Sequence, residues 1–229
     1  MAFTTSEGTW ISLDVGPDGG TIVFELLGDL YSLAASGGQA RPVLSGRAFQ
    51  SQPRYSPDGR SIAFVSDENG TDNIWIADAG GARPRRLTDV KRAIVVSPEW
   101  ARDGRAVFAT VVTDRIAELW RFDATTGAGE KVVPNQNGTP SLLVSTPAPG
   151  PYSPHAAPDG RWLYYSSVTP SVARSYVRAQ SRVMRRDLVT GMDHPVSLPV
   201  PVAMRAMVSP DAVTVCPNMI WPTSADTLT

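Results

Sequence analysis

The sequence predicts an all-β fold, a β-propeller built from four-stranded antiparallel blades. A turn signature built on Pro-Asp-Gly, at residues 17–19 in its first copy, recurs along the chain. The steps between its aspartates are 40, 45, 56 and 52 residues. A short apolar segment follows each complete copy, and 19 glycines and 20 prolines supply turn residues. Four strands in a repeat of roughly 40–50 residues is the size of a propeller blade.

The turn signature predicts tight hairpin connections. Proline presets the second turn position, aspartate accepts a hydrogen bond from a nearby backbone N–H, and glycine takes the left-handed site. A fifth copy is broken, because Ala212 replaces the turn glycine. The predicted structural turn residues are Pro17, Asp18, Gly19, Pro57, Asp58, Gly59, Asp103, Gly104, Pro158, Asp159 and Gly160.

The segments that follow each turn predict the remaining strands. The second strands are short, apolar and rich in β-branched or aromatic residues, whereas the third strands alternate between apolar and polar residues. We therefore expect one propeller region over residues 1–211 and an irregular tail over residues 212–229, the end of a truncated or frame-shifted chain. The predicted blades are residues 8–46, 47–92, 93–134 and 150–198, with a partial fifth at 199–211.

Two further expectations concern the last complete blade and the ends of the array. Residues 168–181 are predicted to be an insertion. The spacing of four from Arg174 through Arg178 to Arg182 would place these arginines on one face of a short helix. An incomplete propeller should leave one apolar face open at each end. We expect these faces around Ile22 and Phe24 in the first blade and around Leu163 and Tyr165 in the fourth.

The repeats resemble those of a known family. The Ser-Pro-Asp-Gly turn at residues 56–59, the strand at 62–66, Asn-Ile-Trp at 73–75 and Arg-Arg-Leu-Thr at 85–88 are similar to the TolB propeller repeat. Residues 7–88 are most similar to the propeller that precedes the metal-dependent barrel of large bacterial amidohydrolases. That resemblance implies six or seven blades and a separate catalytic domain, so we expect this chain to be part of such a protein.

Catalytic motifs are missing from the sequence. It has no His-x-His pair for a binuclear amidohydrolase site and no Gly-x-Ser-x-Gly for a serine hydrolase. Cys216 has no basic neighbours in sequence, and the acidic residues 67–73 fit a hairpin turn better than a calcium loop. We expect no enzyme activity and no cofactor on this chain. The resemblance places zinc or another divalent metal only in a separate catalytic domain.

The expected function is a non-catalytic scaffold and binding module, with Arg54, Glu99 and His155 at the rim of a central channel. Its expected partner is a downstream catalytic domain or another protein. The alternatives are a TolB-type envelope protein that binds proteins and the propeller of a prolyl oligopeptidase-like peptidase. A formal charge of -1 argues against nucleic acid, and no apolar run predicts a membrane span. The sequence shows no signal peptide, although the resemblance implies a periplasmic or secreted protein.

Overall fold

The computed structural model describes residues 5, 7–8, 11–113, 116–134, 150–173, 176–196, 205–208 and 215–218. Every regular element in these ranges is a β-strand. The strands form four antiparallel sheets of four strands each, and a separate two-stranded hairpin near the carboxyl end. The predicted all-β class and four-stranded units are confirmed.

Each four-stranded sheet follows the chain in simple up-and-down order. Blade 1 contains β1 Leu13–Val15, β2 Thr21–Leu26, β3 Asp29–Ala34 and β4 Arg41–Leu44. Blade 2 contains β5 Gln50–Tyr55, β6 Ser61–Ser66, β7 Asn73–Asp78 and β8 Arg85–Arg86. Blade 3 contains β9 Ala93–Trp100, β10 Ala106–Thr113, β11 Ile116–Asp123 and β12 Gly129–Val133. Blade 4 contains β13 Gly150–Ala156, β14 Trp162–Ala173, β15 Tyr176–Asp187 and β16 Asp193–Pro195.

The turn between the first and second strands has the same geometry in all four blades. The four glycines Gly19, Gly59, Gly104 and Gly160 have φ between 68° and 69°. In each turn the aspartate accepts a hydrogen bond from the backbone N–H two residues later, at 2.8–3.1 Å. Blade 2 adds a bond from Ser56 Oγ to Asp58 Oδ1 at 2.6 Å. The turns therefore fix four hairpins at equivalent positions.

The second strand of blade 2, β6, is buried on both faces because this blade packs between blades 1 and 3. Along β6, Ile62 and Phe64 pack on the blade 1 side with Leu30. The alternate residues Ala63 and Val65 pack on the blade 3 side. All five are at most 3% exposed. Double-sided burial explains why this strand is a continuous apolar run instead of an alternating one.

The predicted open face of blade 4 is wrong. Leu163 and Tyr165 pack against Phe108 and Leu119 of blade 3, and the opposite face of β14 presents Tyr164 instead. Alternation along a strand separates its residues into two sets, but it does not say which set meets which neighbour. At the other end, Ile22 and Phe24 are half-buried, as the sequence analysis expects of a less covered face.

The predicted insertion of blade 4 is a continuation of the sheet. β14 and β15 are 12 residues each and stay paired up to Ala173 and Tyr176. Arg178 therefore lies in a strand opposite Ser171, and the helical face considered for the arginines is wrong. Arg174 lies outside the described residues. Strand-forming residues such as Val172 and Val177 outweigh the four-residue arginine spacing.

The carboxyl-terminal region also differs from the expected irregular tail. β17 Arg205–Val208 pairs with β18 Val215–Asn218 in an antiparallel hairpin. β18 lies beyond Ala212, where the turn glycine is lost. The β-branched Val215 at the start of β18 favours a strand even without the complete turn signature.

Candidate functional site on the inner strands

One ionisable side chain occupies the same position on the first strand of every blade. Asp14, Arg54, Glu99 and His155 each precede the aspartate of the following turn by four residues. They lie on β1, β5, β9 and β13, and neighbouring first strands pack beside one another. We call these four residues the inner-strand cluster. The repeat thus brings two carboxyl groups, one guanidinium and one imidazole to one region.

A β-bulge precedes the cluster residue in blades 2, 3 and 4. The pairing of first and second strands slips just before Arg54 and His155, and it also slips along β9. A bulge bends the strand and re-aims the side chains that follow it. One residue in each bulge has left-handed backbone geometry: Gln52 (φ 53°), Ser97 (φ 56°) and Ser153 (φ 50°).

Side chains of the preceding blades support two of these bulges. The N–H of Gln52 donates to Ser12 Oγ at 2.8 Å, and the N–H of Ser97 donates to Gln52 Oε1 at 2.7 Å. Left-handed geometry costs a non-glycine residue about 1–2 kcal/mol, so it requires such support. A proline follows each left-handed residue (Pro53, Pro98 and Pro154). Proline is tolerated here because the first strand is a sheet edge and carries a bulge.

Glu99 is the centre of the inner-strand cluster. Its Oε1 lies 3.3 Å from His155 Nδ1 and accepts a hydrogen bond from the N–H of Ala156 at 3.2 Å. Its Oε2 lies 3.8 Å from Arg54 Nε. The Glu99 side chain is only 15% exposed and that of Arg54 only 14%. The contact between Glu99 and Arg54 is therefore shielded from water more than an ordinary surface ion pair.

Asp14 repeats the same linkage between blades 1 and 2. Its Oδ2 accepts a hydrogen bond from the N–H of Tyr55 at 2.8 Å. Arg54 returns a bond from Nη1 to the carbonyl of Leu13 at 2.9 Å. Between blades 2 and 3, Trp100 Nε1 donates to the Arg54 carbonyl at 3.1 Å. The cluster position thus links each blade to the next.

Burial dominates the titration of both carboxyl groups. It raises the pKa of Glu99 above its ordinary value, and the nearby His155 and Arg54 oppose that rise. Burial also raises the pKa of Asp14, against the attraction of Arg54 and the N–H of Tyr55. The negative charge of Asp14 raises the pKa of Glu99 further. Ionised carboxylates at these positions are therefore incompletely compensated.

The inner-strand cluster lines a cavity of about 510 Å³. Apolar side chains, including Ile11, Val15 and Trp100, form part of its wall. Small-molecule sites commonly have volumes of about 300–1,000 Å³ and combine apolar walls with a few polar groups. This cavity, which we call the inner-strand cavity, can accommodate a small ligand or a side chain of a partner.

The structure places all three residues proposed for the channel rim, Arg54, Glu99 and His155, in this cavity. It adds Asp14, which the sequence analysis did not single out. Asp14 has the same spacing to its turn as the other three. Comparing that one position across all four repeats would have found it.

The other candidates lie elsewhere. Residues 67–73 form a hairpin turn in which Gly70 has φ 85° and Asp67 Oδ1 accepts from the N–H of Phe49 at 2.7 Å. His194 is exposed and meets the Trp162 ring edge-on, with centroids 5.8 Å apart. Arg185 lies over the same ring at 4.4 Å. Among the described residues, no three His, Cys, Asp or Glu side chains lie close enough to hold a metal ion.

No family model matches the chain. The part of the chain that the structure describes has no helix of the length and apolarity needed to cross a membrane. Short segments match curated relatives. The uncharacterized peptidase YuxL of Bacillus subtilis is 37% identical over 75 residues, which is 32% of this chain and 11% of that protein. A TolB homologue of Chlorobium luteolum is 37% identical over 65 residues, which is 28% of this chain and 15% of that protein.

Solved structures match over most of the chain. A putative TolB from Agrobacterium tumefaciens superimposes with a TM-score of 0.68 at 21% identity, covering 87% of this chain and 66% of that one. TolB from Acinetobacter baumannii gives 0.67 at 18% identity, covering 93% of this chain and 48% of that one. The chain therefore has the TolB-like β-propeller fold, and it spans less than two thirds of these proteins.

Proposed function

We propose that this chain is a non-catalytic β-propeller module that binds a partner group in the inner-strand cavity and serves as the scaffold of a hydrolase. One observation supports the binding role above all others. Four blades each contribute one ionisable residue at the same strand position, and these residues converge on one cavity. These residues also hydrogen-bond neighbouring blades, as apolar packing does, but the same residues line the cavity with polar groups.

The hydrolase in this proposal is a metal-dependent amidohydrolase barrel. Its support is the resemblance of residues 7–88 to the propellers of that group. The catalytic residues and the divalent metal belong to the barrel, and the module itself holds no cofactor. Export to the periplasm or cell surface is part of the same proposal, because the resembled proteins are exported.

A second candidate is the propeller of a prolyl oligopeptidase-like peptidase. The specific observation in its favour is the 37% identity with YuxL, whose name describes it as a peptidase. A third candidate is a TolB-type protein that binds other proteins, and the two TolB structures favour it through their fold.

The coding sequence on both sides of these residues separates the three candidates. A downstream His-x-His barrel supports the amidohydrolase, and a downstream Gly-x-Ser-x-Gly motif supports the peptidase. An upstream α/β domain with neither motif downstream supports the TolB-type protein. If the flanking sequence encodes none of these three features, the scaffold proposal is contradicted.

An activity assay tests the non-catalytic part. The purified chain should not hydrolyse amide or peptide substrates, with or without added Zn²⁺. His155→Ala is the informative variant, because His155 is the imidazole in the cavity. Turnover by the chain that disappears in His155→Ala would show that the inner-strand cavity is an active site.

A further inference from the structure

The inner-strand cluster contains more acid than permanent base. Asp14 and Glu99 supply two carboxylates, Arg54 supplies one permanent cation, and His155 is charged only when protonated. With a neutral imidazole the four groups therefore sum to one negative charge. Arg102 also lines the cavity, but it is exposed to solvent, which screens its charge.

Glu99 retains capacity for another hydrogen-bond donor. Arg54 Nε is 3.8 Å from Oε2, which is too far for a hydrogen bond. The N–H of Ala156 donates to the other oxygen, Oε1. An ionised carboxylate offers about four acceptor sites, so Glu99 can accept a further donor at Oε2. Burial raises the pKa of both Glu99 and Asp14, and the nearby Arg54 and His155 oppose that rise.

The surroundings restrict which cation fits. A divalent metal ion needs about six or more oxygen ligands when it is calcium, and Arg54 beside Glu99 would repel a double charge. A primary ammonium carries a single charge and three N–H donors, and it needs only a few acceptors. Ile11, Val15 and Trp100 offer apolar contact for a carbon chain attached to such a group.

We propose that the inner-strand cavity binds a primary ammonium group carried on an apolar chain, with Asp14 and Glu99 as acceptors. This inference rests on the proposed binding function and specifies its ligand class. The ammonium enters beside Glu99 Oε2 and completes the charge balance of the cluster. A lysine side chain and the amino terminus of a peptide both present this chemistry.

Calorimetric titration of the whole chain at about pH 7.5 tests the inference with hexylamine as the probe and 1-hexanol as its neutral counterpart. We expect hexylamine to bind at least about tenfold more tightly, since one charge-assisted interaction corresponds to about that factor. Two further probes separate the natural sources. These are Nα-acetyl-lysine methylamide and a Leu-Leu amide with a free amino terminus, whose acetylated form is the control.

Variants locate the binding site. Asp14→Asn and Glu99→Gln remove the charge but keep an oxygen for the N–H groups of Tyr55 and Ala156, so the fold should persist by circular dichroism. Each should weaken hexylamine binding about tenfold and leave 1-hexanol unchanged. The matched control Glu130→Gln alters an exposed carboxylate on β12 and should change neither.

Equal affinity for hexylamine and 1-hexanol, or undiminished hexylamine binding in the Asp14→Asn/Glu99→Gln double variant, would overturn the inference. So would the absence of hexylamine binding. None of these results concerns hydrolysis, so the non-catalytic proposal would stand. Conversely, turnover lost in His155→Ala would overturn that proposal and leave the titrations unaffected.

Discussion

Glu99 of blade 3 and His155 of blade 4 meet across the boundary between their blades, with Oε1 and Nδ1 3.3 Å apart. The same oxygen also accepts from the N–H of Ala156. One carboxylate oxygen therefore organises both the imidazole and the backbone of the neighbouring blade. The stability of this boundary should depend on an acceptor at position 99, apart from its charge.

Removing the acceptor should destabilise the protein. Glu99→Ala leaves the buried N–H of Ala156 without its acceptor, and an orphaned buried donor costs about 1–3 kcal/mol. Glu99→Gln keeps an oxygen and should lose less free energy of unfolding. Urea denaturation at about pH 7 measures both variants. Glu130→Ala, at an exposed site, should stay within about 0.5 kcal/mol of the parent. Equal losses in Glu99→Ala and Glu99→Gln would contradict the acceptor role.

The charge of Glu99 should appear as a pH dependence of stability. Burial raises the pKa of Glu99 in the folded protein, so the folded state holds its proton more tightly than the unfolded state. The resulting contribution to stability is present at low pH and falls as the pH rises above about 4.5. Glu99→Gln lacks this decline.

The measurement is urea denaturation of the parent and of Glu99→Gln at about pH 4.5 and about pH 7. The free energy of unfolding of Glu99→Gln minus that of the parent should be larger at about pH 7 than at about pH 4.5. Glu130→Gln should show no such relative gain. If the difference between Glu99→Gln and the parent is the same at both pH values, burial does not control this carboxyl group.

The contribution of Asp187 to stability should change with pH in the opposite direction to that of Glu99. Its Oδ2 accepts from Arg161 Nη2 at 2.7 Å and Nε at 3.1 Å, and these bonds hold the pKa of Asp187 far below its ordinary value. The contribution to stability is therefore present above the unfolded pKa and is lost as the pH falls. Asp187→Asn should lower Tm more at about pH 7 than at about pH 3. Asp89→Asn, at a 60% exposed site beside Arg86, is the control. A Tm loss in Asp187→Asn that grows on acidification would refute the sign.

Two glycines of blade 2 separate backbone conformation from contact between blades. Gly81 and Gly70 have φ of 84° and 85°. A Cβ at Gly81 would collide with the carbonyl oxygen of Val43 in blade 1, whereas a Cβ at Gly70 would meet nothing within 4 Å. Gly70→Ala should cost about 1–2 kcal/mol for its left-handed backbone. Gly81→Ala should cost more by at least about 1 kcal/mol, because the blades must also shift. Equal losses by chemical denaturation would mean that the blades separate easily here.

The repeated turn made the strand order predictable from local chemistry. Pro57, Asp58 and Gly59 define a hairpin within a few residues, and equivalent hairpins recur at readable intervals. The faces of blade 4 were not predictable in this way. Whether Leu163 or Tyr164 meets blade 3 depends on sheet packing that involves residues more than fifty positions away. Local alternation contains no such information.

The inner-strand cluster was predictable only in part, for a related reason. The common position of Arg54, Glu99 and His155 follows from the repeat. The pairing of Glu99 with His155 depends on how neighbouring first strands lie, and the bulges at Gln52 and Ser97 depend on hydrogen bonds between blades. Such contacts are non-local and have no sequence signature of their own.

The bulges have a consequence for how such a site changes over evolutionary time. Each bulge sets the direction of the next side chain through the backbone and through Pro53, Pro98 or Pro154, independently of what that side chain is. A mutation at Arg54 or His155 therefore exchanges the chemistry presented to the cavity while the frame behind it stays the same. The cluster positions of blades 2, 3 and 4 can therefore change their recognition chemistry one at a time.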